Sequence, residues 1–125
     1  MKIKVIIKNS NEKCFITEIE QDLKSLQNAV GGYIEAPYVP VLTENGITMF
    51  INEEGKLLNL KPSIAIMSNG KFIDVIAGSA VFTSSDEKGN TIGLNNEQIE
   101  IVKKFLNSNK KCITLDGIIL DLIDI

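Results

Sequence analysis

The stretch with the most chemical potential is Ile51–Leu57, INEEGKL, in which two adjacent carboxylates stand between apolar runs and are followed by a glycine. A type I turn closed by a left-handed glycine takes a polar residue first and glycine fourth, and Asn52 and Gly55 fit these positions. Neighbouring side chains on a strand point to opposite faces, so Glu53 and Glu54 are not expected to converge as a catalytic pair. We interpret the stretch as a glycine-closed hairpin turn whose Asn52 and Glu53 are able to contact a ligand.

A second candidate is the run Gly31-Gly32-Tyr33. One interpretation is a helix C-cap followed by the start of a strand. The other is a loop whose bare N–H groups approach a phosphate while Tyr33 stacks on a base. A carboxylate at Glu53 suits ribose hydroxyls, and Lys56 could hold a phosphate. The predicted ligand-binding residues are therefore Gly31, Gly32, Tyr33, Asn52, Glu53 and Lys56.

The composition excludes several kinds of site. The sequence has no histidine, which removes the usual general base and the usual zinc ligand. All 13 basic residues are lysines, so bidentate guanidinium recognition of phosphate or guanine is absent. The net charge of −3 argues against broad nucleic-acid binding. No apolar run is long enough to span a membrane, and no signal peptide is apparent, so we expect a cytoplasmic protein without a membrane partner.

The remaining reactive residues do not form a recognisable centre. Cys14 and Cys112 are far apart and make no CxxC motif, so they are expected to be reduced, buried small side chains. Asp116, Asp121 and Asp124 lack the spacing of a calcium loop. The sequence therefore predicts no catalytic residue, no metal and no cofactor, and we expect a binding protein rather than an enzyme.

The first half of the chain shows strand and helix patterns in turn. Lys2–Lys8 alternates as a half-buried strand, and Cys14–Ile19 predicts its antiparallel partner. Leu23–Val30 has helical spacing, with Asp22 as N-cap and Gly31 as C-cap.

Extended structure follows, and a further helix is expected near the C-terminus. The sequence predicts an extended run over 33–39 that Pro37 and Pro40 confine to a sheet edge or make irregular. It also predicts a strand over 47–51, a strand over 72–82 interrupted by Gly78, and a polar loop over 84–90. Asn95 and Gln98 form a capping-box variant before the helix, and Asp116-Gly117 predicts a tight C-terminal hairpin. The fold class is α+β, an antiparallel or mixed β-sheet with two helices and a C-terminal β-hairpin, in a single domain over 1–125.

Several blocks together resemble a known family: the run over 26–35, the run INEEGKLLNLKP, the run over 73–80 and the run over 93–98. In order and spacing they are similar to the domain-of-unknown-function family 3846. The resemblance covers a core over 2–107, and the hairpin over 110–125 looks like an extension. The family pattern has an asparagine after a proline where this chain has Ser63 after Pro62. The resemblance implies a small protein of phages and mobile elements in Gram-positive bacteria.

That setting provides three hypotheses. The first is a homo-oligomeric sponge that sequesters a small nucleotide-like immune signal, such as a cyclic nucleotide or an ADP-ribose derivative, without catalysis. The second is an inhibitor or accessory factor that binds a host or phage enzyme through edge strands near Pro37 and the C-terminal hairpin. The third is a metal-dependent nucleotide-cleaving enzyme that uses Glu53, Glu54 or Asp74, and we rank it last because nothing in the sequence gathers three carboxylates.

Overall fold

The computed structural model of the protein describes residues 1–107, 112–115 and 117–124. Within these residues the strands are β1 (Lys2–Lys8), β2 (Phe15–Glu20), β3 (Ile34–Glu35), β4 (Ile47–Asn52), β5 (Pro62–Ser68), β6 (Lys71–Ala77), β7 (Ala80–Ser85), β8 (Thr91–Ile92), β9 (Cys112–Leu115) and β10 (Ile118–Asp124). The helices are α1 (Leu23–Val30), α2 (Pro40–Thr43) and α3 (Asn96–Asn107). The mixture of helices with mostly antiparallel strands confirms the predicted α+β class.

The first sheet has the strand order β2-β1-β7-β4-β3, and β8 pairs with β7 beside it. β1 and β2 are antiparallel, with Lys2 opposite Glu20 and Ile7 opposite Phe15, which confirms the predicted N-terminal hairpin. β7 lies at the centre because it pairs with both β1 and β4. The central strand β7 thus connects the N-terminal pair β1 and β2 on one side with β4 and β3 on the other.

The second sheet has the order β6-β5-β10-β9. β10 runs parallel to β5 and antiparallel to β9, so the C-terminal strands join a sheet begun much earlier in the chain. The connection at residue 116 lies outside the described residues, and the predicted tight hairpin there stays a prediction.

Two sequence predictions are wrong because they placed consecutive strands in one sheet. The predicted strand over 72–82 is two strands, β6 and β7, which belong to different sheets. The chain changes sheets at Gly78, whose φ is +95° and where a Cβ would lie 2.9 Å from Leu60 Cδ1. The predicted hairpin at Asn52–Gly55 is likewise a turn that leads from β4 in the first sheet towards β5 in the second.

The first sheet is covered on both faces. On one face α1 packs over Ile3, Val5, Ile7 and Val81. On the other face the sheet packs against α2, α3 and the second sheet, through side chains that include Ile6, Met49, Phe82, Leu42, Val102, Ile64 and Ile123. β1 is therefore buried on both faces at its C-terminal end, and the prediction of a half-buried strand is wrong there, since Ile6 and Lys8 are 0% and 1% exposed.

The two longer helices begin where the sequence predicts. Asp22 accepts a hydrogen bond from the Ser25 N–H at 2.7 Å, and the left-handed Gly31 ends α1. Asn95 and Gln98 exchange reciprocal hydrogen bonds of 2.8 and 3.0 Å at the start of α3, which is the capping box. The short helix α2 was not predicted, although Pro40 at its first turn is a favourable start signal.

Candidate functional site

The Asn52–Lys56 turn is held by the side chain of its first residue. Asn52 is 3% exposed, and its Nδ2 donates to the Val30 carbonyl at 3.0 Å. Its Oδ1 accepts from the Glu54 N–H at 2.8 Å. One amide therefore ties the end of α1 to the turn, and both ends of that amide are engaged within the fold.

The glycine pair is explained by the same contact. The N–H groups of Gly31 and Gly32 both donate to the Gln27 carbonyl, at 2.8 and 3.0 Å. A Cβ at Gly32 would lie 2.9 Å from Asn52 Nδ2, so only glycine lets the backbone approach the amide this closely. These two N–H groups, which the sequence suggested as donors to a phosphate, thus form the C-cap of α1.

Three of the predicted residues meet at one depression, which we call the turn cleft. It has a volume of about 220 Å³ and includes Asn52, Glu53 and Lys56 in its lining. Gly31 lies in the lining of another cleft, and Gly32 and Tyr33 lie in the lining of neither. The Tyr33 side chain is 65% exposed, while its carbonyl accepts from the Glu53 N–H at 2.8 Å.

The turn cleft is acidic. Its lining contains four carboxylates and one ammonium group: Glu35, Glu53, Glu54, Asp74 and Lys56. Lys56 pairs with Asp74, and this hydrogen bond holds the pKa of Asp74 below its usual value. Among the described residues no three His, Cys, Asp or Glu side chains are placed to share a metal ion. The charge of the cleft disfavours a phosphate.

A second depression, the lysine cleft, lies at the C-terminal end of α1. It has a volume of about 280 Å³ and is lined in part by Ser10, Asn28, Gly31, Lys61 and Ser79. The Ser10 hydroxyl donates to the Pro62 carbonyl, and the Ser79 hydroxyl donates to Asn9 Oδ1. Lys61 and Asn28 supply further side-chain donors in the described lining of this cleft.

The third depression, the α1 cavity, has a volume of about 490 Å³ and lies beside the N-terminal end of α1. Its apolar floor comes from strands β1, β3, β4 and β8 together with α1, through Ile3, Ile34, Phe50, Ile92, Leu23 and Leu26. Ile3 and Leu26 also belong to the core under α1, so the floor is fixed by the packing of the helix on the sheet.

The rim of the α1 cavity is polar: Glu20, Gln21, Asp22, Asp86, Asn90 and Thr91. Gln21 Nε2 donates to the Thr91 carbonyl at 2.6 Å and so joins the two sides of the rim. Hydrogen bonds from Ser25 hold the pKa of Asp22 below its usual value. Hydrogen bonds from Asn90 do the same for the pKa of Asp86. Both aspartates are ionised acceptors at neutral pH.

The family model described as Domain of unknown function (DUF3846) matches residues 1–107. The chain belongs to this family. Neither a curated protein nor a solved structure matches the chain. The described residues that line the α1 cavity, the turn cleft and the lysine cleft fall within the DUF3846 span. The cavities are therefore features of the DUF3846 part of the chain, whereas β9 and β10 lie beyond it.

One buried polar atom on the face of the first sheet that α1 covers has no hydrogen-bond partner among the described residues. Thr83 is 0% exposed, and its Oγ1 is unpaired in the part of the chain that the structure describes. Val81 packs under α1 and Phe82 packs in the opposite core, so the alternation of β7 places Thr83 on the α1 face. An unpaired buried hydroxyl destabilises the fold.

The buried Lys8 lies near two partly buried side chains, Cys14 and Asp121. The Lys8 Nζ donates to the carbonyls of Asn9 and Glu12, at 2.7 and 2.6 Å, and burial lowers the pKa of Lys8. Burial raises the pKa of the Cys14 thiol and of Asp121. Cys14 is a free, partly buried cysteine, the side chain of Cys112 lies outside the described residues, and the reduced state of both stays a prediction.

The α1 cavity was not predicted from the sequence. Its lining residues come from seven separate places in the chain, and no short motif unites them. Asp22 was recognised only as a cap, and the loop containing Asp86 was interpreted as solvated. The sequence signal that could have indicated the cavity was an acidic helix cap, Asp22, together with a polar loop after a strand, which contains Asp86.

No helix in the described part of this DUF3846 protein is long and apolar enough to cross a membrane.

Proposed function

We propose that this DUF3846 protein binds a nucleotide-derived small molecule in the α1 cavity and holds it without chemical conversion. The observation that carries the proposal is the cavity itself, with a volume of about 490 Å³, an apolar floor and a polar rim. Small-molecule sites typically measure about 300–1,000 Å³ and combine apolar walls with a few polar groups. The α1 cavity has this combination.

The chemistry of the rim supports binding rather than catalysis. A general base works best when its pKa lies near the operating pH. The pKa values of Asp22 and Asp86 are instead lowered by hydrogen bonds, so both carboxylates are weak bases. The sequence has no histidine to replace them. Such carboxylates are suited to accept hydrogen bonds from a ligand that leaves unchanged.

The nucleotide class of the ligand comes from the setting that the family resemblance implies. In a phage or mobile element, a protein that retains a nucleotide immune signal lowers its free concentration and so blocks the defence that depends on it. A sponge of this kind needs a cavity and an abundant, stable fold, and it needs no reaction. The proposal includes cytoplasmic location and homo-oligomers, as expected for a sponge.

The test is a thermal-shift panel of cyclic nucleotides, ADP-ribose derivatives, NAD and simple nucleotides on three proteins. These are the wild type, Leu23→Ser in the cavity floor and Leu58→Ser as a matched control. The two leucines are similarly exposed, at 59% and 55%, and only Leu23 is part of the described cavity lining. A ligand at about 100 times its dissociation constant stabilises a protein by about 2.7 kcal/mol.

We expect a shift with one ligand class, recovery of the intact ligand, and an affinity about fivefold weaker in Leu23→Ser but unchanged in Leu58→Ser. A ligand recovered in altered form would establish an enzyme instead. A flat panel would contradict the proposal. Equal weakening by both substitutions would place the site outside the α1 cavity.

A second candidate function is binding to a host or phage protein. The observation that favours it is the edge position of β3, with Tyr38 65% exposed just beyond Pro37. Edge strands offer unpaired backbone groups to a partner chain. A pull-down with wild type and Tyr38→Ser distinguishes the two functions. A partner lost with Tyr38→Ser, together with a flat ligand panel, would support this second function.

A further inference from the structure

The charges around the α1 cavity restrict its ligand. Three carboxylates lie on the rim, from Glu20, Asp22 and Asp86, and no lysine is among the described lining residues. The ammonium group of Met1 lies 3.4 Å from Glu20 Oε2 and offsets that one charge. The two aspartates interact mainly with neutral donors and so keep their negative charge. The three carboxylates therefore outnumber the one ammonium group beside the described lining, above an apolar floor.

We infer that the α1 cavity takes the uncharged nucleoside part of its ligand, base and sugar, and leaves any phosphate in solvent. This inference rests on the proposed function. An apolar floor that includes Phe50 suits the faces of a base. Carboxylate oxygens accept hydrogen bonds from ribose hydroxyls and exocyclic amino groups. A phosphate placed at the same rim meets like charges.

The turn cleft and the lysine cleft, as far as their linings are described, do not supply a better phosphate site. The turn cleft has four carboxylates, and its one ammonium group, on Lys56, already pairs with Asp74. The lysine cleft has Lys61 but lies at the opposite end of α1, beside Gly31. In the sequence prediction, glycine N–H groups and Lys56 bound a phosphate of the ligand. In the α1 cavity the base and sugar are bound instead.

The experiment compares nucleosides with their phosphates by isothermal titration calorimetry. The probes are adenosine with AMP and guanosine with GMP, on wild type, Asp22→Asn and Glu18→Gln. Asparagine caps a helix about as well as aspartate, so Asp22→Asn removes the charge and keeps α1. Glu18→Gln removes one exposed charge on β2 that is not part of the described cavity lining.

We expect at least one nucleoside to bind about tenfold more tightly than its monophosphate. Asp22→Asn should reduce that preference about threefold, and Glu18→Gln should leave it unchanged. Tighter binding of the monophosphates would overturn the inference and leave the proposed function standing. An equal effect of the two substitutions would also overturn it, since the preference would then follow net charge. No binding of any probe or panel compound would remove both.

Discussion

The Asn52–Lys56 turn and the α1 cavity both gather polar side chains near an end of α1, but they use them in opposite ways. At the turn, Asn52 bonds to Val30 and Glu54, and Lys56 pairs with Asp74. At the cavity, the aspartates are anchored by local N–H groups while open volume remains between them. The two kinds of polar residue therefore differ in their partners. Those at the turn bond to groups elsewhere in the fold, and those at the cavity bond to neighbouring backbone groups and border an open volume.

The difference has a consequence for mutations. Substitutions at the turn should change the stability of the protein, because the groups there bond to one another. Substitutions at the cavity should change ligand binding, because the groups there border a volume of about 490 Å³.

The largest effect is expected for Asn52→Ala. This change leaves the Val30 carbonyl and the Glu54 N–H without their partner in a site where Asn52 is 3% exposed. Unpaired buried polar groups cost about 1–3 kcal/mol each, so we expect a loss of about 3 kcal/mol in the free energy of unfolding. Urea denaturation measures it.

The control for this prediction is Asn28→Ala, which removes an exposed amide from α1. Surface substitutions of this kind usually stay within about 0.5 kcal/mol. If Asn52→Ala unfolded like the wild type but lost its ligand, the turn would be a binding site and the comparison would fail.

The next effect concerns the α1 face of the sheet and has the opposite sign. Thr83→Val removes a buried hydroxyl that has no partner among the described residues and keeps nearly the same shape. We expect the free energy of unfolding to rise by about 1 kcal/mol. Thermal and urea melts of the purified variant measure the change.

Ser84 provides the matched comparison for Thr83. Its hydroxyl donates to the Gly46 carbonyl at 3.2 Å and accepts from Gln98 Nε2 at 2.9 Å, so Ser84→Ala should destabilise by about 1 kcal/mol. A loss of stability in Thr83→Val would show that the Thr83 hydroxyl has a partner, such as a bound water, and that the α1 face is satisfied like the turn.

The features that the sequence predicted correctly are those settled by neighbours along the chain. The caps at Asp22, Gly31 and Asn95 form within a single turn of helix, and the β1–β2 hairpin pairs strands separated by one loop. Local hydrogen bonds and side-chain periodicity contain enough information for these elements.

The features that were not predicted correctly depend on contacts between residues that are distant in sequence. Gly78 was recognised as an interruption, but its change of sheet follows from packing against Leu60 and from the parallel pairing of β5 with β10. The α1 cavity likewise arises where β1, β4 and β8 meet α1, so its residues have no common spacing. Of the predicted site residues, Asn52, Glu53 and Lys56 do meet at one cleft, and their binding role stays a prediction.

The smallest effect is expected at the Lys56–Asp74 pair. Both side chains are exposed, at 63% and 49%, so solvent screens the interaction, and Lys56→Gln should cost less than about 0.5 kcal/mol at neutral pH. The pKa of Asp74 is lowered in the folded state, chiefly by the hydrogen bond from Lys56. The stabilisation is therefore present above the ordinary pKa of 3.8 and is lost as the pH falls through the lower folded-state value.

Urea melts of wild type and Lys56→Gln between neutral and acidic pH measure this difference. The control is Lys71→Gln, at the start of the strand β6 that contains Asp74. The two curves should converge as Asp74 becomes protonated. A difference that persists in acid would show that Lys56 stabilises the turn through its aliphatic stem rather than its charge. A small, pH-dependent difference instead means that Lys56 separates from Asp74 at little cost, so that its ammonium group has the freedom to contact a ligand.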